Sequence, residues 1–158
     1  MKGHGANMKI GVKGHVVLEA HDEQGRLVAR VENHNLWTTL GKVFIAETLK
    51  ATAGYNVGLV HCAIGVGTAT PAETDTYLAS EASRVAVSSR TVTGTTLTVV
   101  TTFTAAQSTY NIHEIGIFGH SDSTTSANTG KLFARTLLSY DNSAGTTNLT
   151  ITWTLSVG

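Results

Sequence analysis

Four charged side chains stand in surroundings that suit charge poorly. Glu81, Arg84, Glu114 and Arg135 each lie among apolar or small residues, and an isolated charge buried in such a setting is costly. Two kinds of chemistry answer that cost. Arg84 or Arg135 can hold a carboxylate in a bidentate fork, which would pin the loop before Glu81 against the strand that carries Glu114. Alternatively, Glu81 and Glu114 could serve as the acid and base of a glycosidase, which needs two carboxyls at a set separation and an aromatic cleft for the sugar. Aromatic residues make up only 6% of the chain, and both Trp37 and Trp153 fall where core residues are expected. The pattern therefore favours structural ion pairs over catalysis.

No other constellation supplies a reactive centre. The seven histidines, His4, His15, His21, His34, His61, His113 and His120, form no HExxH or comparable ligand pair. His113 and Glu114 are adjacent on an expected strand and so point to opposite faces. Cys62 is the single cysteine; it excludes an internal disulfide and reads as a small buried hydrophobe. Serine and threonine are abundant without a GxSxG elbow. Gly65 and Gly67 lack the spacing of a dinucleotide site, and no Lys-Ser/Thr pair follows them as in a P-loop. No enzyme, metal or cofactor is predicted.

The elements that must hold the four charges are mostly strands. From Ala63, a strand of small residues runs into Gly65 and Gly67, where a missing side chain permits positive φ or a close approach. Pro71, the sole proline, pushes Thr70 toward an extended conformation, so residues 68–76 read as a long ordered loop. Leu78 then re-enters apolar surroundings, Glu81 and Arg84 follow three apart, and Val85 and Val87 begin a strand.

Before this stretch, Val16, Leu18, Leu27, Ala29 and Val31 alternate with polar residues around Asp22-Glu23-Gln24-Gly25, which predicts a hairpin. Residues 33–50 carry the helical signal. Leu36, Leu40, Val43, Phe44 and Glu47 fall three and four apart, with Trp37 seven before Phe44. Thr38 or Thr39 can cap the helix, bringing its core to about residues 38–50, and Gly54 can stop it. Glu47 could meet an inward arginine. Beyond the loop, residues 85–92, a turn at Thr93-Gly94 and residues 95–103 predict a second hairpin. Strands follow at 112–118 and 131–138. Residues 149–157 close the chain, with Leu149, Ile151, Trp153, Leu155 and Val157 alternating against threonine and serine. The fold class is mainly β: an antiparallel β-sandwich or jelly-roll-like barrel with one packed helix.

The 158 residues fit a single domain. Lys plus Arg equals Asp plus Glu at 11 each, which leaves no electrostatic footprint for nucleic acid or an anionic membrane. The first residues lack a signal-peptide core, and no apolar run approaches the roughly 20 residues of a membrane span. A soluble cytoplasmic product is expected. Residues 1–14 read as a flexible arm, rich in glycine and lysine, and residues 15–158 as the sandwich. Lys2, Lys9, Ile10 and Lys13 are the arm's candidate contacts with a neighbouring subunit.

Several blocks, taken in order, carry a resemblance. Asn35-Leu36 precedes the helix, and an Ile-Gly-Val-Gly-Thr loop follows with Thr74-Asp75-Thr76, Leu78, Glu81 and Arg84. Then come Glu114-Ile115-Gly116-Ile117-Phe118, Gly130-Lys131-Leu132-Phe133-Ala134-Arg135, and the closing strand with Trp153. From about residue 15 onward the chain resembles small virion structural proteins of tailed bacteriophages, namely capsid decoration (cement) proteins and tail-collar or fibre-associated proteins. The resemblance implies a sandwich or jelly-roll subunit, often trimeric. It would be made in the host cytoplasm and would assemble on the capsid exterior with the major capsid protein lattice as partner, or alternatively with tail proteins. A carbohydrate-binding sandwich is the rival expectation, with Tyr55, Tyr77, Tyr110 and Tyr140 as its candidate stacking residues.

Overall fold

A computed structural model of the chain describes residues 11–158. Lys2, Lys9 and Ile10 lie outside the described residues. Two five-stranded antiparallel sheets pack face to face. In the first, the order is β2 (Leu27–His34), β1 (Val12–His21), β10 (Asn148–Val157), β7 (Thr96–Phe103) and β6 (Ser89–Thr93). In the second it is β3 (Leu36–Trp37), β9 (Lys131–Asp141), β8 (Asn111–Gly119), β4 (Leu59–Gly65) and β5 (Glu81–Ala86). The protein is a β-sandwich with, among the described residues, one α-helix, α1 (Thr39–Leu49).

The alternation of the strands builds the core. Val16, Leu18 and Ala20 of β1, Val99 and Phe103 of β7, and Leu149, Ile151, Trp153 and Leu155 of β10 point inward. They meet Cys62 and Ile64 of β4, Ile115 and Ile117 of β8, and Phe133 of β9. Their outward neighbours across the first sheet are largely hydroxylated. Thr154 stands between His15 and Thr98, and Ser156 between Lys13 and Thr96. At the β1–β2 turn, the Asp22 carboxylate accepts from the backbone N–H groups of Gln24 and Arg26, and Gly25 takes the left-handed conformation the turn requires (φ 75°).

Several expectations need correction. The strand signal begins before residue 15: β1 starts at Val12, so Lys13 is an exposed strand residue in register with Ser156 rather than part of an arm. Residues 33–50 are not one helix. Asn33 and His34 end β2, Leu36 and Trp37 pair with Arg135 and Ala134 of β9, and the helix begins only after Thr38, whose hydroxyl accepts from Gly41 N–H. The helical spacing ran on through two strand residues, of which Trp37 packs on the core and meets Phe133 edge-on. Past the helix, Ala51 rather than Gly54 first adopts positive φ, and Glu47 accepts from Thr52 rather than from an arginine.

Residues 85–92 likewise divide. β5 begins at Glu81 and ends at Ala86 in the second sheet, the chain crosses at residues 87–88, and β6 belongs to the first. The following hairpin turns at residues 94–95.

Candidate functional site

The second sheet is covered on both sides. Its inner face packs on the first sheet, and its outer face carries a small separate cluster of Ala63, Phe118 and Leu132 into which Leu78 of the long loop descends. Register explains why the loop can come so close. Arg84 of β5 stands opposite Ala63 of β4, Ala63 opposite Gly116 of β8, and Gly116 opposite Arg135 of β9. Two arginines thus flank two of the smallest residues. A Cβ on Gly116 would lie 2.8 Å from Leu78 Cδ2, so the glycine makes the floor on which Leu78 rests.

Two residues along β4 from Ala63, Gly65 stands between Glu81 and Glu114. Glu114 is fully buried. Its Oε1 accepts from the N–H groups of Gly67 (3.1 Å) and Ser80 (2.7 Å), and its Oε2 from Ala79 N–H (2.9 Å) and Arg135 Nη2 (2.8 Å). Arg135 also donates through Nη1 to Asp75 Oδ2 (2.7 Å) and through Nη2 to the Ala69 carbonyl (3.0 Å). Asp75 in turn accepts from Ala72 N–H. One carboxylate and one guanidinium therefore bind both ends of the loop after β4. Gly65 and Gly67 serve close approach, not positive φ: a Cβ on Gly67 would sit 2.4 Å from Glu114 Oε1.

Glu81 and Arg84 form a second node. Nε and Nη2 of Arg84 grip Oε1 and Oε2 of Glu81 at 2.7 and 2.8 Å, with both side chains almost entirely buried. The third guanidinium nitrogen donates to the Thr129 carbonyl (2.6 Å), and the guanidinium lies 3.9 Å above the Phe118 ring centroid. This node ties the loop between β8 and β9 to the sheet. Of the four charges, then, Glu114 joins Arg135 and Glu81 joins Arg84, and each pair secures a different loop.

Every carboxylate oxygen of Glu81 and Glu114 already accepts a hydrogen bond, and the bonds they make hold chain in place. Among the described residues, no group of three or more His, Cys, Asp or Glu side chains is placed to hold a metal ion, and no helix is long and apolar enough to cross a membrane. Burial pushes the Cys62 thiol up to about 12, which makes it a poor nucleophile.

Sequence reasoning missed three sets of contacts. Asp75 shares Arg135 with Glu114, and its signal was local: a carboxylate three residues after Ala72, able to cap its own turn. His61 Nδ1 lies 2.9 Å from Ser123 Oγ, and burial, followed by the charge of Arg84, lowers the imidazole below its ordinary value. His120, Asp122 and Lys131 form a chain of contacts beside it. Burial pushes the Asp122 carboxyl up, but the hydrogen bonds from Lys131 and His120 outweigh it and bring the group below its usual value.

Fold and site define a two-sheet antiparallel sandwich whose second sheet is sealed by ion-paired loops. No protein-family model, curated protein or solved structure matches the chain.

Proposed function

We propose that this chain is a non-enzymatic virion structural protein, a capsid decoration subunit that binds the assembled shell and tightens contacts between capsomers. The observation that supports it best is the use made of the buried charges. Glu114, Arg135, Glu81 and Arg84 are spent on fastening two long loops to one sheet, which suits a rigid subunit that acts through surface area. Binding only to the assembled lattice stabilises that lattice by mass action. The hydroxyl-rich outer face of the first sheet, with Thr98, Thr150, Thr152 and Thr154, suits an exterior that must stay soluble. Lys2, Lys9, Ile10 and Lys13 are the proposed contacts toward neighbouring subunits, and a homotrimer is the proposed assembly.

A tail, collar or fibre-associated role is the second reading, because the resemblance in block order covers those proteins equally. A sugar-binding role draws less support: Tyr55, Tyr110 and Tyr140 pack against the core, and only Tyr77 of the four candidates is exposed. Cosedimentation of the purified chain with expanded, undecorated shells tests the proposal. Saturable binding in many copies per head supports decoration. Binding confined to tails or to one vertex supports the second reading, and hits on a glycan array without shell binding would overturn both.

A further inference from the structure

Register in the first sheet sets two histidines side by side. His15 of β1 stands directly opposite His34 of β2, so the two side chains leave the same face of the sheet. Their ring centres are 5.6 Å apart, with the planes tilted by 56°. Both residues line a hollow of about 340 Å³ that Lys13, Thr154 and Ser156 also border, and His34 is exposed. Elsewhere, His61 and His120 each engage a ring nitrogen, with Ser123 and Asp122 respectively. Among the described residues, neither the His15 nor the His34 ring makes such a bond. Glu32 Oε2 stands 3.6 Å from His15 Nε2, beyond hydrogen-bond range.

Two neighbouring imidazoles with unengaged nitrogens are suited to one kind of ligand. Neutral imidazole is the commonest protein ligand for metal ions, and it favours the late first-row divalent cations. An imidazole nitrogen sits about 2.0–2.1 Å from zinc, which puts the ring centre roughly 3.2 Å from the ion and two rings at a tetrahedral angle roughly 5 Å apart. The 5.6 Å between His15 and His34 meets that separation with a small side-chain adjustment. Charge nearby is mixed. Lys13 borders the hollow from β1, while Glu32 of β2 brings a carboxylate that Arg30 holds at 2.7 Å; β10 contributes only the hydroxyls of Thr154 and Ser156.

We propose that His15 and His34 form a two-histidine site for a late first-row divalent cation such as Zn²⁺, with water completing the coordination. A closed structural site uses four protein ligands, so this one is open and holds its ion reversibly. The ion bridges β1 and β2 at their last residue pair before the chain leaves for β3 in the second sheet. Binding that requires this pairing stabilises it by mass action. Mg²⁺ and Ca²⁺, which take oxygen ligands, are not accepted.

The test is a Zn²⁺ titration of the full chain, followed through the ring nitrogens of its histidines by nuclear magnetic resonance. The His15 and His34 signals should move together, those of His61 and His120 should stay, and Mg²⁺ should move none. Losing an outer partner of a metal ligand costs about 10–100-fold in affinity, so His15→Asn and His34→Asn should each weaken Zn²⁺ binding at least about tenfold in calorimetry. His21→Asn should leave it unchanged. Zn²⁺ should also raise the melting temperature of the parent but not of the two variants, whose cooperative melts without Zn²⁺ show that they fold. Shifts confined to other histidines, undiminished affinity in either variant, or an equal response to Mg²⁺ would overturn the site. None of these measurements involves a virion, so all are independent of the decoration reading.

Discussion

Oε2 of Glu114 lies 2.8 Å from Nη2 of Arg135, and neither side chain has meaningful access to water. The pair joins neighbouring strands β8 and β9, yet its remaining bonds all go to the loop between β4 and β5. Such a pair is hazardous to break, because a neutral residue in place of Glu114 leaves Arg135 to Asp75 alone and turns an amide N–H toward the backbone donors of Gly67, Ala79 and Ser80. Glu114→Gln should therefore destabilise the fold by about 3–5 kcal/mol, a large part of the whole stability of a domain. Calorimetry with and without Arg135→Met checks this, since the double variant should cost clearly less than the two single changes summed. An unchanged melting temperature in Glu114→Gln, with loss of a hydrolytic activity, would instead point to catalysis.

Gly67 should tolerate no side chain. An added Cβ would meet Glu114 Oε1 at 2.4 Å and Ala79 Cβ at 2.7 Å, so either the loop lifts or the carboxylate moves off its three backbone donors. Gly67→Ala should cost about 1–3 kcal/mol. Hydrogen exchange should place the damage at the amides of Ala79 and Ser80, and native protection at those two amides would contradict the clamp.

His61 should make stability depend on pH. The folded chain resists protonating it because the ring is partly buried and faces the charge of Arg84, whereas the unfolded chain takes the proton near the ordinary value of 6.5. The unfolded state binds more protons in that window, so this contribution is complete above pH 6.5 and is lost as pH falls through the lowered folded value. In His61→Asn, whose amide oxygen can still accept from Ser123, the melting temperature should fall less between pH 7 and pH 5 than in the parent. Parallel curves would assign the pH response elsewhere.

Strand β10 should be indispensable. It is the central strand of the first sheet, with β1 on one side and β7 on the other, and it buries Leu149, Ile151, Trp153 and Leu155. At about 25 cal/mol per Å² of apolar surface, losing these side chains removes several kcal/mol and leaves two strand edges open to aggregation. Deleting residues 149–158 should give insoluble protein, and a soluble product with a cooperative melt would refute the strand's central place.

What the chain's residues determined by themselves was local. Alternation in residues 149–157 and in the first hairpin identified strands and most of their inward positions, because period two is a property of the backbone, although Leu27 and Val157 at the strand ends are exposed. Thr38 or Thr39 marked the helix start because a hydroxyl there satisfies an amide that the helix leaves free, and the structure takes Thr38. The unsuitable surroundings of Glu81, Arg84, Glu114 and Arg135 marked them as groups needing partners. Which partner each took was a tertiary matter. Register set Arg84 opposite Ala63 and Arg135 opposite Gly116, and only then did Glu114 face Arg135, with Arg84 left to Glu81. The same limit hid the division of residues 85–92 between two sheets and the strand pairing of Leu36 and Trp37. Periodicity reports which side of the chain is apolar, but it carries no information about which distant segment will cover that side. That choice belongs to the packed core, where every strand's alternatives are weighed together.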